Sequence, residues 1–422
     1  MFALQTRVEG ADQTSHASAG LTRVTPVLMT TSVITLVAVA AIAFCSFITG
    51  YFRHLYVRDA VLLRVFFGGF LLMKSAFSFV LLALALSPFS LTASAEIDRE
   101  RFSFIYQDVS YTGEIMMPER TPLGVIIIVP GHGPTEFVEG TQFLGERRFF
   151  VEQGYSVAYW DKAGTGLSEG TYDHNQSIES SADESVAALA ALDALDLENF
   201  ENLGVWCISR AGWIVPKMLE QYSGIDFWVS VSGTTELNSS RYMLEANLIA
   251  EQRSAEEIDL LMSEWDDYQR ILVRGGTLEE FNQKTANLMI DPYFNRNDFQ
   301  MTEEILVNIQ SYFQSGEMAF DEATNQAIMY TEMETTLRRL SIPVLAILGR
   351  LDSQIDWRAT GDLYLRAADQ GQLPLSLVFL DTCNHTMQQS VTGGIYENLP
   401  EDTPACDGYY ETMADWLNRL PE

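Results

Sequence analysis

Gly204-Val-Trp-Cys-Ile-Ser209-Arg-Ala-Gly-Trp213 is the stretch on which the fold turns. The apolar run Leu203–Ile208 reads as a buried strand and leads straight into Ser209, and Ala211–Gln221 reads as a helix leaving at once. A serine on so sharp a strand-to-helix turn has its hydroxyl lifted above the edge of a sheet, and the tightness of the turn calls for small residues two before and two after it. Cys207 and Ala211 hold those places, with Gly212 next. The usual pattern has glycine at both, so this is a relaxed version. A serine between small residues also serves as an ordinary helix N-cap, so the reading depends on what surrounds it.

Outward from this turn, strand patterns precede it at Arg101–Gln107, Tyr111–Met116, Val125–Val129 and Ser156–Trp160. Helical spacing falls at Gln142–Gln153 and Ile178–Ala194. Phe227–Val231 follows as a further strand. Nearly unbroken apolar strands alternating with helices predict an α/β fold with a doubly wound, mostly parallel sheet. From Thr234 to about Leu340 the alternation gives way to helix after helix with acidic faces; strands resume at Pro343–Leu348 and Leu375–Leu380, with a helix at Trp357–Ala368 between them and a last one at Tyr409–Leu420. The expected organisation is therefore a targeting region over 1–95, a sheet core over 96–233 and 341–422, and a helical lid over 234–340. An insertion after the sixth core strand would lie over the carboxyl ends of the strands, where ligands bind in open sheets.

A nucleophilic serine needs a base and an acid. His385, in Leu380-Asp-Thr-Cys-Asn-His385-Thr, follows the last strand and so falls at the same sheet edge as Ser209. Asp352, in Ile347-Leu-Gly-Arg-Leu-Asp352-Ser-Gln, follows the strand before it; Asp356 and Asp381 are the alternative acids. A loop histidine is commonly just solvated, and an aspartate commonly just a turn residue. The order Ser209, Asp352, His385, each after a successive strand, is what gives the three weak signals a common meaning. Two backbone N–H groups would hold the oxyanion, one from Arg210 and one from His132 in the loop Pro130-Gly131-His132-Gly133-Pro134. The His132 side chain is a rival base, but it precedes the serine and lacks a nearby acid after a strand.

Together these segments resemble the α/β-hydrolase superfamily over most of residues 101–420. Gly154-Tyr-Ser-Val-Ala-Tyr-Trp-Asp161-Lys-Ala-Gly164-Thr-Gly166-Leu-Ser168-Glu-Gly170 resembles the family's strand-plus-loop segment, usually ending Asp-x-x-Gly-x-Gly-x-Ser. Ser209-Arg-Ala-Gly-Trp-Ile is similar to the elbow of bacterial serine hydrolases of the prolyl-oligopeptidase and dienelactone-hydrolase branches, several of which carry a helical lid. Dienelactone hydrolases proper use cysteine at the elbow, whereas Ser209 stands there in this chain; Cys207 reads as core. Gly164-x-Gly166 lacks the Gly-Lys-Ser/Thr end of a phosphate loop. The implied activity is hydrolysis of a carboxylic ester or thioester through an acyl-enzyme. The alternatives are an aminopeptidase whose lid carboxylates (Glu251, Glu256, Glu257, Asp266, Asp267) hold a substrate ammonium, and a non-catalytic binding protein on the same fold.

The formal charge of −31, from 26 basic and 57 acidic residues, repels nucleic-acid phosphates, so the expected partner is a small acyl substrate. No HExxH or paired-cysteine spacing suggests a metal, and no cofactor is expected. Lys74, the apolar run Phe77–Leu86, Ser87-Pro88 and Ala93-Ser94-Ala95 are the parts of a secretory signal peptide ending before Glu96. Upstream, Pro26–Gly50 is uncharged and long enough to span a bilayer. Either translation starts at Met73 and the protein is exported to the periplasm or medium, or 26–50 anchors it to a membrane. Cys383 and Cys406 bracket the His385 loop and would pin it if oxidised; free thiols are the alternative.

Overall fold

The computed structural model describes residues 97–195, 197–295 and 299–420. The expected signal peptide and the apolar segment 26–50 lie outside them. Among the described residues no helix is long and apolar enough to cross a membrane.

Eight strands form one sheet: β1 (Asp98–Tyr106), β2 (Val109–Met117), β3 (Val125–Val129), β4 (Ser156–Trp160), β5 (Leu203–Ile208), β6 (Phe227–Val231), β9 (Val344–Gly349) and β10 (Leu375–Leu380). Their order across the sheet is β1-β2-β4-β3-β5-β6-β9-β10, with β2 antiparallel to both its neighbours and the other pairs parallel. This is the α/β-hydrolase arrangement. Strands β3, β4, β5, β6 and β9 are buried along their whole length, which explains their unbroken apolar sequences. The edge strand β1 instead alternates, turning Phe102 and Phe104 inward and Arg101, Ser103 and Ile105 outward.

Each apolar run serves two layers. Val125, Ile127 and Val129 share one core with Trp160, Val205 and Cys207, under the helices α2 (Ile178–Asp193), α3 (Ala211–Gln221) and α9 (Trp357–Gln370). Ile126 and Ile128 face the other way, joining Tyr159, Trp206 and Ile208 under α1 (Leu144–Gln153) and α10 (Tyr409–Leu417). Burying one such large apolar side chain stabilises the fold by about 1.5–3 kcal/mol, so the central strands are its deepest source of stability.

Between β6 and β9 the chain builds a third core of its own. It contains α4 (Ser240–Ala250), α5 (Ala255–Arg274), α6 (Leu278–Lys284) and α7 (Glu303–Gln314), whereas α8 (Met333–Arg339) joins the first core through Met333 and Leu337. In α5, Leu261, Trp265, Tyr268 and Leu272 recur every three or four residues and are buried, while Ser254 and Glu257 close a capping box at its start. The insertion is not wholly helical. Ala319–Phe320 and Ala327–Ile328 pair as a small antiparallel hairpin, β7 and β8, where helix was expected. Two-residue strands are too short to show an alternation. Element ends also shift: β1 starts at Asp98 rather than Arg101, and α10 stops at Leu417 rather than Leu420.

Candidate active site

Ser209 sits directly beyond β5 with φ of 60°, a left-handed conformation that costs a non-glycine residue on the order of 1 kcal/mol or more. The surroundings enforce it. Its N–H donates to Val231 O at the end of β6 (3.1 Å), and its carbonyl accepts from Gly212 N (2.7 Å) as α3 begins. A Cβ on Gly212 would come within 2.9 Å of Thr234 Oγ1 and 3.0 Å of Thr234 N, so the close approach falls here, one residue beyond the small position the motif requires. Cys207 is core: its Sγ accepts from Trp228 Nε1 (3.2 Å), and burial pushes its thiol up to about 12, leaving it inert.

The same rim gathers the other residues. Ser232, next after Val231, donates its N–H to Ile347 O of β9 (2.9 Å) and its hydroxyl to the backbone carbonyl of His385 (2.7 Å). The exits of β5, β6 and β9 and the loop after β10 are thus stitched together. The His385 loop is further held by a disulfide, since Cys383 and Cys406 are bonded with their Cα atoms 5.3 Å apart.

His385 Nδ1 lies 2.9 Å from Asp352 Oδ2, and both residues are buried. A carboxylate only accepts, so Nδ1 donates and Nε2 is left as the ring nitrogen able to take a proton. Asp352 itself is fixed by Gln354 N (2.8 Å) and Ile355 N (2.9 Å), both donating to Oδ1. The other acids are engaged elsewhere. Asp356 caps α9 through the N–H groups of Arg358 and Ala359, and Asp381 is exposed and paired with Arg350.

The loop after β3 packs flush against the elbow: a Cβ on Gly131 would stand 2.8 Å from Ile208 O and 3.6 Å from Ser209 Cβ. Neither the His132 N–H nor the Arg210 N–H has a protein acceptor among the described residues. Both are therefore available to a substrate oxygen. The His132 ring lies beside His174 (centroids 5.6 Å apart), and no carboxylate is hydrogen-bonded to it among the described residues. Its pKa is lowered to about 4, first by desolvation and then by the positive charges of Lys162 and Arg210. It thus lacks a carboxylate partner of the kind His385 has in Asp352.

Three supporting residues had no signal in the linear pattern. Lys162 is buried and donates from Nζ to the carbonyls of Gly131 and of Gly133 (2.8 Å). From the insertion, Tyr242 donates its hydroxyl to Asp352 O (2.7 Å), and Asn247 binds Ser353 O (2.9 Å) and Ile395 N (2.8 Å). Among the described residues no group of three or more His, Cys, Asp or Glu is arranged to hold a metal ion.

Fold and rim together define a serine hydrolase of the α/β-hydrolase class. The chain belongs to the X-Pro dipeptidyl-peptidase (S15) family, whose sequence profile matches residues 92–386. No curated protein matches it. Among solved structures it is similar to a Pyrococcus furiosus esterase at 14% identity (TM-score 0.43, covering 67% of this chain and 82% of that one). It is also similar to Est1E from Butyrivibrio proteoclasticus, solved with ferulic acid, at 15% identity (TM-score 0.39, 75% and 96%). A third is mouse alpha/beta hydrolase domain-containing protein 10, at 12% (TM-score 0.41, 76% and 100%).

Proposed function

We propose that the protein hydrolyses a carboxylic ester through an acyl-enzyme on Ser209. The observation that carries this is the Asp352–His385 hydrogen bond at the rim where Ser209 emerges. His385 Nε2 takes the hydroxyl proton as Ser209 attacks the carbonyl carbon, and Asp352 supports the imidazolium that forms. The N–H groups of His132 and Arg210 bind the tetrahedral oxyanion. Collapse expels the alcohol, protonated by His385, and a water activated by the same imidazole then releases the acid.

An ester is favoured over an amino-terminal peptide by the charges present. The cations Lys162 and Arg210 flank the oxyanion loop. The insertion carboxylates that could have held an ammonium are largely spent: Glu251 pairs with Arg253, Asp266 with Arg241 and Asp267 with Arg270, while Glu257 closes the capping box. The second reading, cleavage of a peptide after proline, is supported by the family match over 92–386. Steady-state assays on p-nitrophenyl esters and X-Pro p-nitroanilides separate the two. Ser209→Ala should abolish turnover of whichever is cleaved, and fluorophosphonate should label the wild type alone. Labelling of Ser209→Ala, or its full activity, would remove Ser209 from the mechanism.

Export also belongs to this reading. It is supported by the signal-like segment 73–95 and by a disulfide of the kind that persists in oxidising compartments. Sequencing the amino terminus of the mature protein should give Glu96.

A further inference from the structure

We propose that Lys162 is a positioning residue that aims the His132 N–H at the developing oxyanion by holding the Gly131 and Gly133 carbonyls from behind. The inference rests on the acyl-transfer reading above.

The geometry is that of a single peptide plane. In a trans peptide the C=O and N–H point in opposite directions, and no cis bond occurs among the described residues. Lys162 Nζ donates to Gly131 O, so the N–H of the same peptide, that of His132, is turned away from the lysine. A second bond to Gly133 O (2.8 Å) holds the following turn, fixing the backbone on both sides of His132. The lysine is itself immobilised, its N–H donating to Thr135 Oγ1 (2.7 Å) and its carbonyl accepting from Thr165 N (3.0 Å) and Thr165 Oγ1 (2.9 Å). The preceding Asp161 completes the grip by accepting from Phe137 N (2.6 Å) and Val138 N (3.3 Å) further along the loop. Carbonyls meet an ammonium and amides meet a carboxylate, from two consecutive residues at the end of β4.

The cost of this arrangement argues for a purpose. Lys162 is 7% exposed and makes no ion pair with a carboxylate among the described residues. Burial, then the charge of Arg210, lowers its pKa to about 7, with Glu184 opposing. A filler at this place would be more stable as an apolar side chain. A cation on the carbonyl also polarises the peptide and makes its N–H a stronger donor, an effect realised only when negative charge develops on the substrate oxygen.

The test compares Lys162→Met, Lys162→Gln and Lys162→Arg with wild type on a p-nitrophenyl ester, together with inhibition by a phenylboronic acid, whose Ser adduct is tetrahedral. Loss of one oxyanion donor costs about 10²–10³ in kcat, so Lys162→Met should fall by that order with KM within threefold. Its boronate affinity should fall in parallel with kcat/KM. Lys162→Gln should fall between Met and wild type, and Lys162→Arg should recover at least tenfold over Met. Wild-type kcat in Lys162→Met overturns the proposal, as does a loss confined to KM with unchanged boronate affinity. If Lys162→Met does not fold by near-UV circular dichroism, Lys162→Gln and Lys162→Arg decide: wild-type turnover in the Gln variant, or Arg no better than Gln, overturns it. Ser209→Ala, run alongside, tests the acyl-transfer reading separately. An active Ser209→Ala sinks that reading, whereas an inert Ser209→Ala with wild-type Lys162→Met sinks only the role of the lysine.

Discussion

Replacing Asp352 by asparagine changes one atom and should cost nearly all turnover. Oδ1 of Asp352 accepts from Gln354 N (2.8 Å) and Ile355 N (2.9 Å). Asparagine must keep its carbonyl oxygen there, because turning the amide over would strand two N–H donors at about 1–3 kcal/mol each. The amide nitrogen then faces His385 Nδ1, now 2.9 Å from Oδ2, and the ring must accept where it donated before. Its proton moves to Nε2, the position that receives the proton of Ser209 in the proposed mechanism. In serine proteases the equivalent change lowers kcat by roughly ten-thousand-fold. At about 1.36 kcal/mol per tenfold, that is about 5.4 kcal/mol of barrier. The assay is kcat on a p-nitrophenyl ester, with thermal unfolding as control. A loss below tenfold in a variant of unchanged thermal stability would refute the assigned tautomer, and with it the use of Asp352 as the orienting acid.

Gly131→Ala should lower kcat by about 10–100-fold and destabilise by about 1–3 kcal/mol, because its Cβ would overlap Ile208 O at 2.8 Å and push the loop off the elbow; ester kinetics and denaturant melts read both effects. Removing the Cys383–Cys406 bridge, which closes a loop with a sequence separation of 23, should cost about 3 kcal/mol by chain entropy. Over a domain of this size that is roughly a 3–6 °C lower Tm, checked by calorimetry of Cys383→Ser/Cys406→Ser. Glu397 should contribute an acid-sensitive part of stability. Partial burial works against its charge, but hydrogen bonds from Ser390, Val391 and Thr392 hold its pKa at about 2, so the contribution is complete above the unfolded value near 4.3 and lost as pH falls toward 2. Glu397→Gln should flatten Tm against pH in that window, and an unchanged slope would count against it.

Some of the site could be read along the chain because its parts are tied to strand ends. Ser209, Asp352 and His385 each follow a parallel strand, and parallel strands deliver their exits to one edge. The linear reading put Asp352 ahead of Asp356 and Asp381 on strand order alone, with no sign of what the other two carboxylates do. Only the packing shows Asp356 spent on a helix cap and Asp381 on Arg350. Lys162 lay in plain view within the Asp161–Gly170 segment, in a chain with only four lysines, yet nothing local says that its ammonium is buried against the preceding loop. The hairpin at Ala319–Phe320 and Ala327–Ile328 left no periodicity to detect.

The amino-acid sequence alone determined the sheet, the insertion point after β6 and the serine at the elbow. These follow from apolar periodicity and from short-range steric demands, which act between residues a few positions apart. Tertiary structure alone decided how the rival carboxylates are occupied, how Lys162 reaches the Gly131 and Gly133 carbonyls, and how the insertion grips the acid turn through Tyr242 and Asn247. Hydrogen bonds reach about 3 Å through space, and the groups they join here stand tens to more than a hundred residues apart along the chain.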